Sequence, residues 1–215
     1  MSQFKFNQAQ EAILQTLASA KDGAAETKLR IKRLLMTDRR PGRQQKQDPA
    51  ARRLAFHTRP PSGSGVEVLY SLYEVFALLV GLNLLAHGMP QATVVGAMRQ
   101  LRGDLQAAHD EIMNKDAKLL FDQETVRRRA RPGMLAVDNT APVFVAMVNV
   151  RLRDKKAKVH ASVAVCRGHE RLAEFLKEYA PPGSFATISE WTTIAHKLAA
   201  NLAHTRPSKR GPSSR

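Results

Sequence analysis

Between Lys28 and Arg59 the chain places eleven lysines and arginines against two acids, Asp38 and Asp48, a net of +9. They include Lys28, Arg30, Lys32, Arg33, Arg39, Arg40, Arg43, Arg52, Arg53 and Arg59. Arg206 to Arg215 add +4, so of the +15 carried by all 215 residues only +2 lies elsewhere. Guanidinium and ammonium groups gathered in this way suit one kind of chemistry. They neutralise phosphates and release the condensed counterions, the electrostatic footprint of a nucleic-acid backbone binder. A membrane surface or an acidic protein would attract the same charge. The stretch from Arg39 to Arg53 lacks the apolar face of a helix lying on a membrane, which sets the membrane reading aside.

Bond-making chemistry finds less support. Seven histidines are scattered, and none forms the i, i+4 pair with an intervening Glu that helix-borne metal hydrolysis uses. His160 falls within an apolar strand pattern and His196 within the last helical pattern, where structural roles suffice. Ser62 to Gly65 lacks the Lys-Ser/Thr end of a phosphate loop. Glu170, Glu174 and Glu178 share one helical stripe beside Arg171 and Lys177, as a solvated face with i, i+4 partners does. The single cysteine, Cys166, can form neither an internal disulfide nor a multi-thiolate metal site, and its apolar surroundings read as packing. The expectation is a binding protein, not an enzyme, with no cofactor and no metal.

The elements that must carry the basic groups follow from periodicity. At 43% hydrophobic and 25% charged, the chain suits one or two domains with real cores. No uninterrupted run of eighteen apolar residues occurs, and Met1 to Asn7 lacks a signal-peptide core, so a soluble, cytoplasmic protein is expected. Phe4 and Phe6 suggest a short strand, and Asn7 with Gln10 an N-cap before a helix reaching about Ala20. Lys21-Asp22-Gly23 reads as a turn, and Ala24 to Met36 as a second helix bearing Lys28, Arg30, Lys32 and Arg33, a helix-turn-helix arrangement. Residues 37–53 have no periodicity and read as a basic insertion. Leu54 to Arg59 and Val66 to Tyr70 read as a β-hairpin around Pro60 to Gly65.

The next stretch is the most specific. Ser71 with Glu74 forms a capping box, so a helix should start at Leu72. Val75, Leu78, Leu79, Leu82 and Leu85 recur at helical spacing, Gly88 suits the helix end, and Pro90 opens a second helix carrying Val94, Val95, Met98 and Leu101.

This arrangement resembles the MerR-like winged-helix family, in which a Tyr-Ser strand end leads into a capped helix and a glycine turn into another. Counted from Tyr70, the family's apolar, glycine and aliphatic positions hold Val75, Leu78, Leu84, Gly88 and Val94, while Gly81 stands where an aliphatic residue is usual. Thr27, Leu29 and Arg30 match the family's Thr-Leu-Arg loosely, with Ile31 and Lys32 in place of its aromatic pair. The resemblance implies that Ala24 to Met36 is a recognition helix and the hairpin a wing. Arg59 near the wing tip would then contact the DNA backbone, and so would Tyr70 at its end, although a tyrosine ending a strand is as often core. The wing arginine of the family is replaced by Val68, so that contact does not carry over.

Farther on, Leu101, Leu105, Ala108, Ile112 and Leu119 suit either a dimer-forming helix or packing on their own domain. Arg127 to Arg131 with Pro132-Gly133 marks a boundary. Val143 to Leu152 and Lys158 to Cys166 read as an antiparallel hairpin, followed by helices over His169 to Tyr179 and Ser189 to about Ala203. The expected fold is α+β. It comprises a winged helix-turn-helix domain over residues 1–100 with its insertion at 37–53 and a connecting or dimerisation helix over 101–130. A small α+β module for self-association or effector sensing over 131–205 and a basic tail over 206–215 complete it.

The expected function is a dimeric, sequence-specific regulator of transcription that binds double-stranded DNA. Its DNA-binding residues are Lys28, Arg30, Lys32, Arg33, Arg39, Arg40, Arg43, Arg52, Arg53, Arg59 and Tyr70. A lone Cys166 excludes a thiolate-bound metal effector, and no convergent polar groups near Trp191 and Phe144 name a small molecule. Two rivals stand beside this reading: a phage- or plasmid-type assembly factor with non-specific nucleic-acid binding, and an RNA binder acting through the arginine-rich insertion.

Overall fold

The computed structural model describes residues 3–17, 21–40, 54–58, 68–117, 120, 142–150 and 160–206. The chain mixes helix and strand and divides into two compact units, Met1–Arg102 with Lys197–Arg215, and Gly103–His196.

The first unit begins with β1 (Phe4–Lys5), α1 (Phe6–Leu17) and α2 (Lys21–Arg39). The Lys5 N–H donates to Gln8 Oε1 at 2.9 Å, and α1 starts at Phe6, so the expected cap residue Asn7 lies within the first turn. Ala9, Ala12, Ile13 and Thr16 form the buried stripe of α1. Gly23 lies inside the first turn of α2, so Lys21 to Gly23 is helix and not the turn read from the sequence, and α2 continues past Met36 to Arg39. Glycine costs a helix only about 1 kcal/mol, which the buried stripe of Ile31, Leu34 and Leu35 easily outweighs.

The short strand β2 (Leu69–Tyr70) leads into α3 (Leu72–Ala86) and α4 (Gln91–Met113). The capping box is present as expected: Ser71 Oγ accepts from the Glu74 N–H at 3.2 Å and Glu74 Oε2 from the Ser71 N–H at 2.7 Å. Gly88, at φ +85°, turns the chain in the left-handed region that side-chain-bearing residues avoid, and the Val94 N–H closes the first turn of α4 on Pro90 O at 2.9 Å. Most of α3 is buried, so it is the central helix of the unit, packed on α1 and α2.

The expected wing hairpin is corrected. Leu54 to Thr58 is not a strand, and β2 pairs antiparallel with β1, Phe4 opposite Tyr70 and Lys5 opposite Leu69. Residues 59–67, with Arg59, lie outside the described residues.

The dimer seam is corrected as well. Leu101, Leu105, Ala108 and Ile112 are all buried within the chain itself, so the alternative of packing at home holds for them; Leu119 lies outside the described residues.

The second unit holds a three-stranded antiparallel sheet in the order β4 (His160–Arg167), β3 (Val143–Val150), β5 (Phe185–Glu190). The expected hairpin is β3 and β4, in register from Val143 opposite Arg167 to Val150 opposite His160. One face of the sheet, Phe144, Ala146, Val148 and Cys166, packs against Leu172 and Phe175 of α5 (Gly168–Tyr179). Val143, Val145 and Met147 on the opposite face are buried too, which is why β3 reads as an unbroken apolar run. Strand β5 has no counterpart among the expected elements, and Ser189 belongs to it, so the last helix, α6 (Thr192–His204), starts three residues later than its sequence suggests. Glu190 sets that start by accepting the Thr192 N–H at 2.7 Å and the Thr193 N–H at 3.3 Å. The later part of α6 belongs to the first unit, where Asn201 Nδ2 donates to Thr16 Oγ1 at 3.0 Å.

Candidate nucleic-acid interface

Helix α2 carries the charge outward because its other face is taken. At about 100° per residue, Leu34, Asp38, Ile31 and Leu35 share one side, and all four are buried. Lys28, Lys32 and Arg39 then fall in one row bordering that side next to Leu35, Arg33 lies on the far side, Arg40 follows just past the helix end, and all five are exposed. Among the described residues, no ion pair neutralises any of the five. Arg30 lies at the margin and pairs with Glu26 one turn earlier, so it is a weaker candidate than its position implied.

The row is mounted on a rigid base. Gln91, the first residue of α4, donates through Nε2 to Arg33 O at 3.0 Å and to Thr37 Oγ1. One turn on, Asp38 is fully enclosed: Oδ1 accepts the Ala55 N–H at 3.0 Å, and Oδ2 accepts the Phe56 N–H at 3.1 Å. Arg99 of α4 completes the site, its Nη2 2.9 Å from Asp38 Oδ1 and 2.6 Å from Asp38 O. A buried carboxylate with every approach satisfied in this way is a clasp; it ties the end of α2 to the re-entering chain at Leu54 to Thr58.

Arg102 and Glu74 hold the same segment from its other side. Arg102 Nη1 donates to Leu54 O and to His57 O at 2.8 Å, and Nη2 to Thr58 Oγ1 at 3.1 Å. Its guanidinium sits 5.7 Å from the Tyr73 ring centroid. Glu74, already committed to the α3 cap, accepts the Thr58 N–H as well. Phe56 fills the space between helices: a Cβ on Gly81 would stand 3.0 Å from the Phe56 ring and 3.5 Å from Leu34 Cδ1. Glycine at position 81 therefore has a local reason, a phenyl ring lying directly on the α3 backbone.

The expected Tyr70 contact is corrected. Tyr70 is 1% exposed, its ring tilted against those of Phe6 and His57 with centroids 5.8 and 4.9 Å away, and burial pushes its phenol pKa up to about 12. It is core, out of reach of a phosphate. Burial likewise lowers His57 below its ordinary value, which Glu74 only partly opposes. Arg43, Arg52 and Arg53, like Arg59, lie outside the described residues.

Sequence reasoning passed over Asp38, Arg99 and Arg102 as positioning residues. A signal was there for Asp38, which stands four residues after Leu34 and seven after Ile31 and so continues their apolar stripe. Nothing local marked the two arginines. Among the described residues, no group of three or more His, Cys, Asp or Glu is placed to hold a metal ion, and no helix is long and apolar enough to cross a membrane. No protein-family model matches the chain, and no curated protein is significantly similar to it.

Proposed function

We propose that this chain is a DNA-binding protein acting in transcription regulation, which lays the exposed face of α2 into the major groove of duplex DNA. The observation that carries the reading is the exposed set Lys28, Lys32, Arg33, Arg39 and Arg40, with no ion pair among the described residues, on and just past a helix whose remaining side is buried. Nineteen residues make α2 about 28 Å long, enough to cross several phosphates on both walls of a groove. A helix fits the B-form major groove, about 12 Å wide, whereas the A-form groove of RNA is too narrow to admit it; this favours DNA over RNA. The capped start of α3 and the Gly88 corner agree with the MerR-like resemblance, and the absent strand at Leu54 to Thr58 does not. The reading therefore rests on α2 and not on a wing.

A salt titration tests it. Affinity of the full chain for a duplex should fall linearly on a log-log plot, and Lys28→Gln, Lys32→Gln, Arg33→Gln together should flatten the slope by roughly 2 to 3, about 0.9 for each phosphate left without its cation. An unchanged slope would remove α2 from the interface.

A further inference from the structure

Two large apolar side chains stand in the middle of the basic face. Leu29 is 45% exposed and Met36 53%, although α2 has a buried stripe on which apolar residues could have been spent. They are seven residues apart, hence two turns, so one lies directly above the other along the helix. Lys28, Lys32 and Arg39 flank them on one side; on the other stands Arg33, with Glu26 one turn before Leu29 engaged by Arg30 and Arg40 just past the helix end, and all five cations are exposed. The face thus has a definite cross-section: cations at both margins and an apolar ridge between.

Few partners have the complementary section. An acidic helix would put its charge along the middle, and a membrane would need a wider apolar band than two side chains supply. A B-form major groove has phosphates on both walls and, on its floor, the C5 methyl of each thymine as the apolar group. Resting on the DNA-binding reading above, we propose that Leu29 and Met36 are specificity-determining residues that contact thymine methyls. Their separation along the axis is about 10.5 Å, close to three base-pair steps of about 3.4 Å, so the preferred site carries two thymines about three steps apart.

Deoxyuridine differs from thymidine only by that methyl, which makes it the probe. Random-sequence duplexes retained by the full chain at physiological salt are sequenced, and the enriched duplexes are remade with deoxyuridine for thymidine. Wild-type protein should lose affinity about fourfold per methyl touched, about fifteenfold for two. Leu29→Ala with Met36→Ala, both exposed and therefore tolerant of truncation, should bind the two forms alike, at the wild-type affinity for the deoxyuridine form.

Equal binding of both forms by the wild type overturns the assignment while leaving the interface standing. Failure to retain any duplex overturns the interface and the assignment together. A wild-type dimer that the double variant dissolves would mean that a second copy covers this face, and the assignment falls.

Discussion

Helices α2 and α5 are built alike and charged differently. Each buries a stripe, Ile31, Leu34 and Leu35 in one and Leu172 and Phe175 in the other, and each faces water with long polar side chains. On α5 those side chains balance: Glu170, Glu174 and Glu178 stand among Arg171 and Lys177, and Arg171 Nη1 lies 2.7 Å from Glu174 Oε2. From Lys28 to Arg39 the exposed charged side chains of α2 are all cations, and its exposed acid, Glu26, lies one turn nearer the N-terminus, where it pairs with Arg30. Burial explains why both segments are helices; only charge balance separates a face that water satisfies from one that seeks phosphates. The first unit also uses buried charge where the second uses apolar area. The Asp38 clasp fixes the end of α2, whereas α5 is held by sheet packing around Phe144 and Cys166.

The largest effect expected from this contrast is on binding. Reversing Lys28, Lys32 and Arg33 to Glu should reduce duplex affinity at physiological salt by about 100-fold or more, since three phosphate attractions become repulsions. Reversing Arg171 and Lys177, which stand among the acids of their own helix, should change it less than about twofold. Fluorescence anisotropy with a labelled duplex reads both, and equal losses would erase the distinction between the helices.

Next in size is the clasp. Asp38→Ala leaves the largely covered Arg99 without its carboxylate and the Ala55 and Phe56 N–H groups unsatisfied, a loss of about 3–5 kcal/mol in urea unfolding. Glu174→Ala on α5 breaks only an exposed pair and should cost under about 1 kcal/mol. Gly81→Leu comes third, overpacking the Phe56 ring for about 1–3 kcal/mol, while Gly81→Ala should cost less because alanine returns up to about 1 kcal/mol of helix propensity.

The smallest effect is on pH dependence in the second unit. Burial lowers the imidazoles of His109 and His196 below 6.5, with His196 adding to the shift of His109 and Asp110 opposing it. A group whose folded pKa is depressed in its neutral-favouring site contributes fully above 6.5 and loses that contribution as pH falls toward the folded value. Trp191, the single tryptophan and 1% exposed, reports on this unit. Its urea midpoint should be lower at pH 5.5 than at 7.5, and His109→Asn with His196→Asn should flatten the difference.

Local chemistry was legible in the residues. Ser71 and Glu74 announce the start of α3 because a capping box is closed within four residues, and the β-branched runs announce β3 and β4. Strand β5 escapes because an edge strand such as Phe185–Glu190, half-exposed and following Pro181-Pro182-Gly183, shows neither an apolar run nor clean alternation. The wing fails for another reason. A run of extended type does not name its partner, and Leu69–Tyr70 found Phe4–Lys5 some sixty-five residues away instead of its neighbour in sequence.

By itself the sequence determined where the charge lies, where helices are capped and which positions are apolar, since each depends on residues within a few turns of one another. Tertiary structure alone decided that Tyr70 is core and that Phe56 rests on Gly81. It alone made Asp38, an apparent dilution of the basic run, the clasp for chain segments 17 and 61 residues away. Those outcomes turn on which distant groups compete for the same buried space, and that competition is settled only when the whole unit packs.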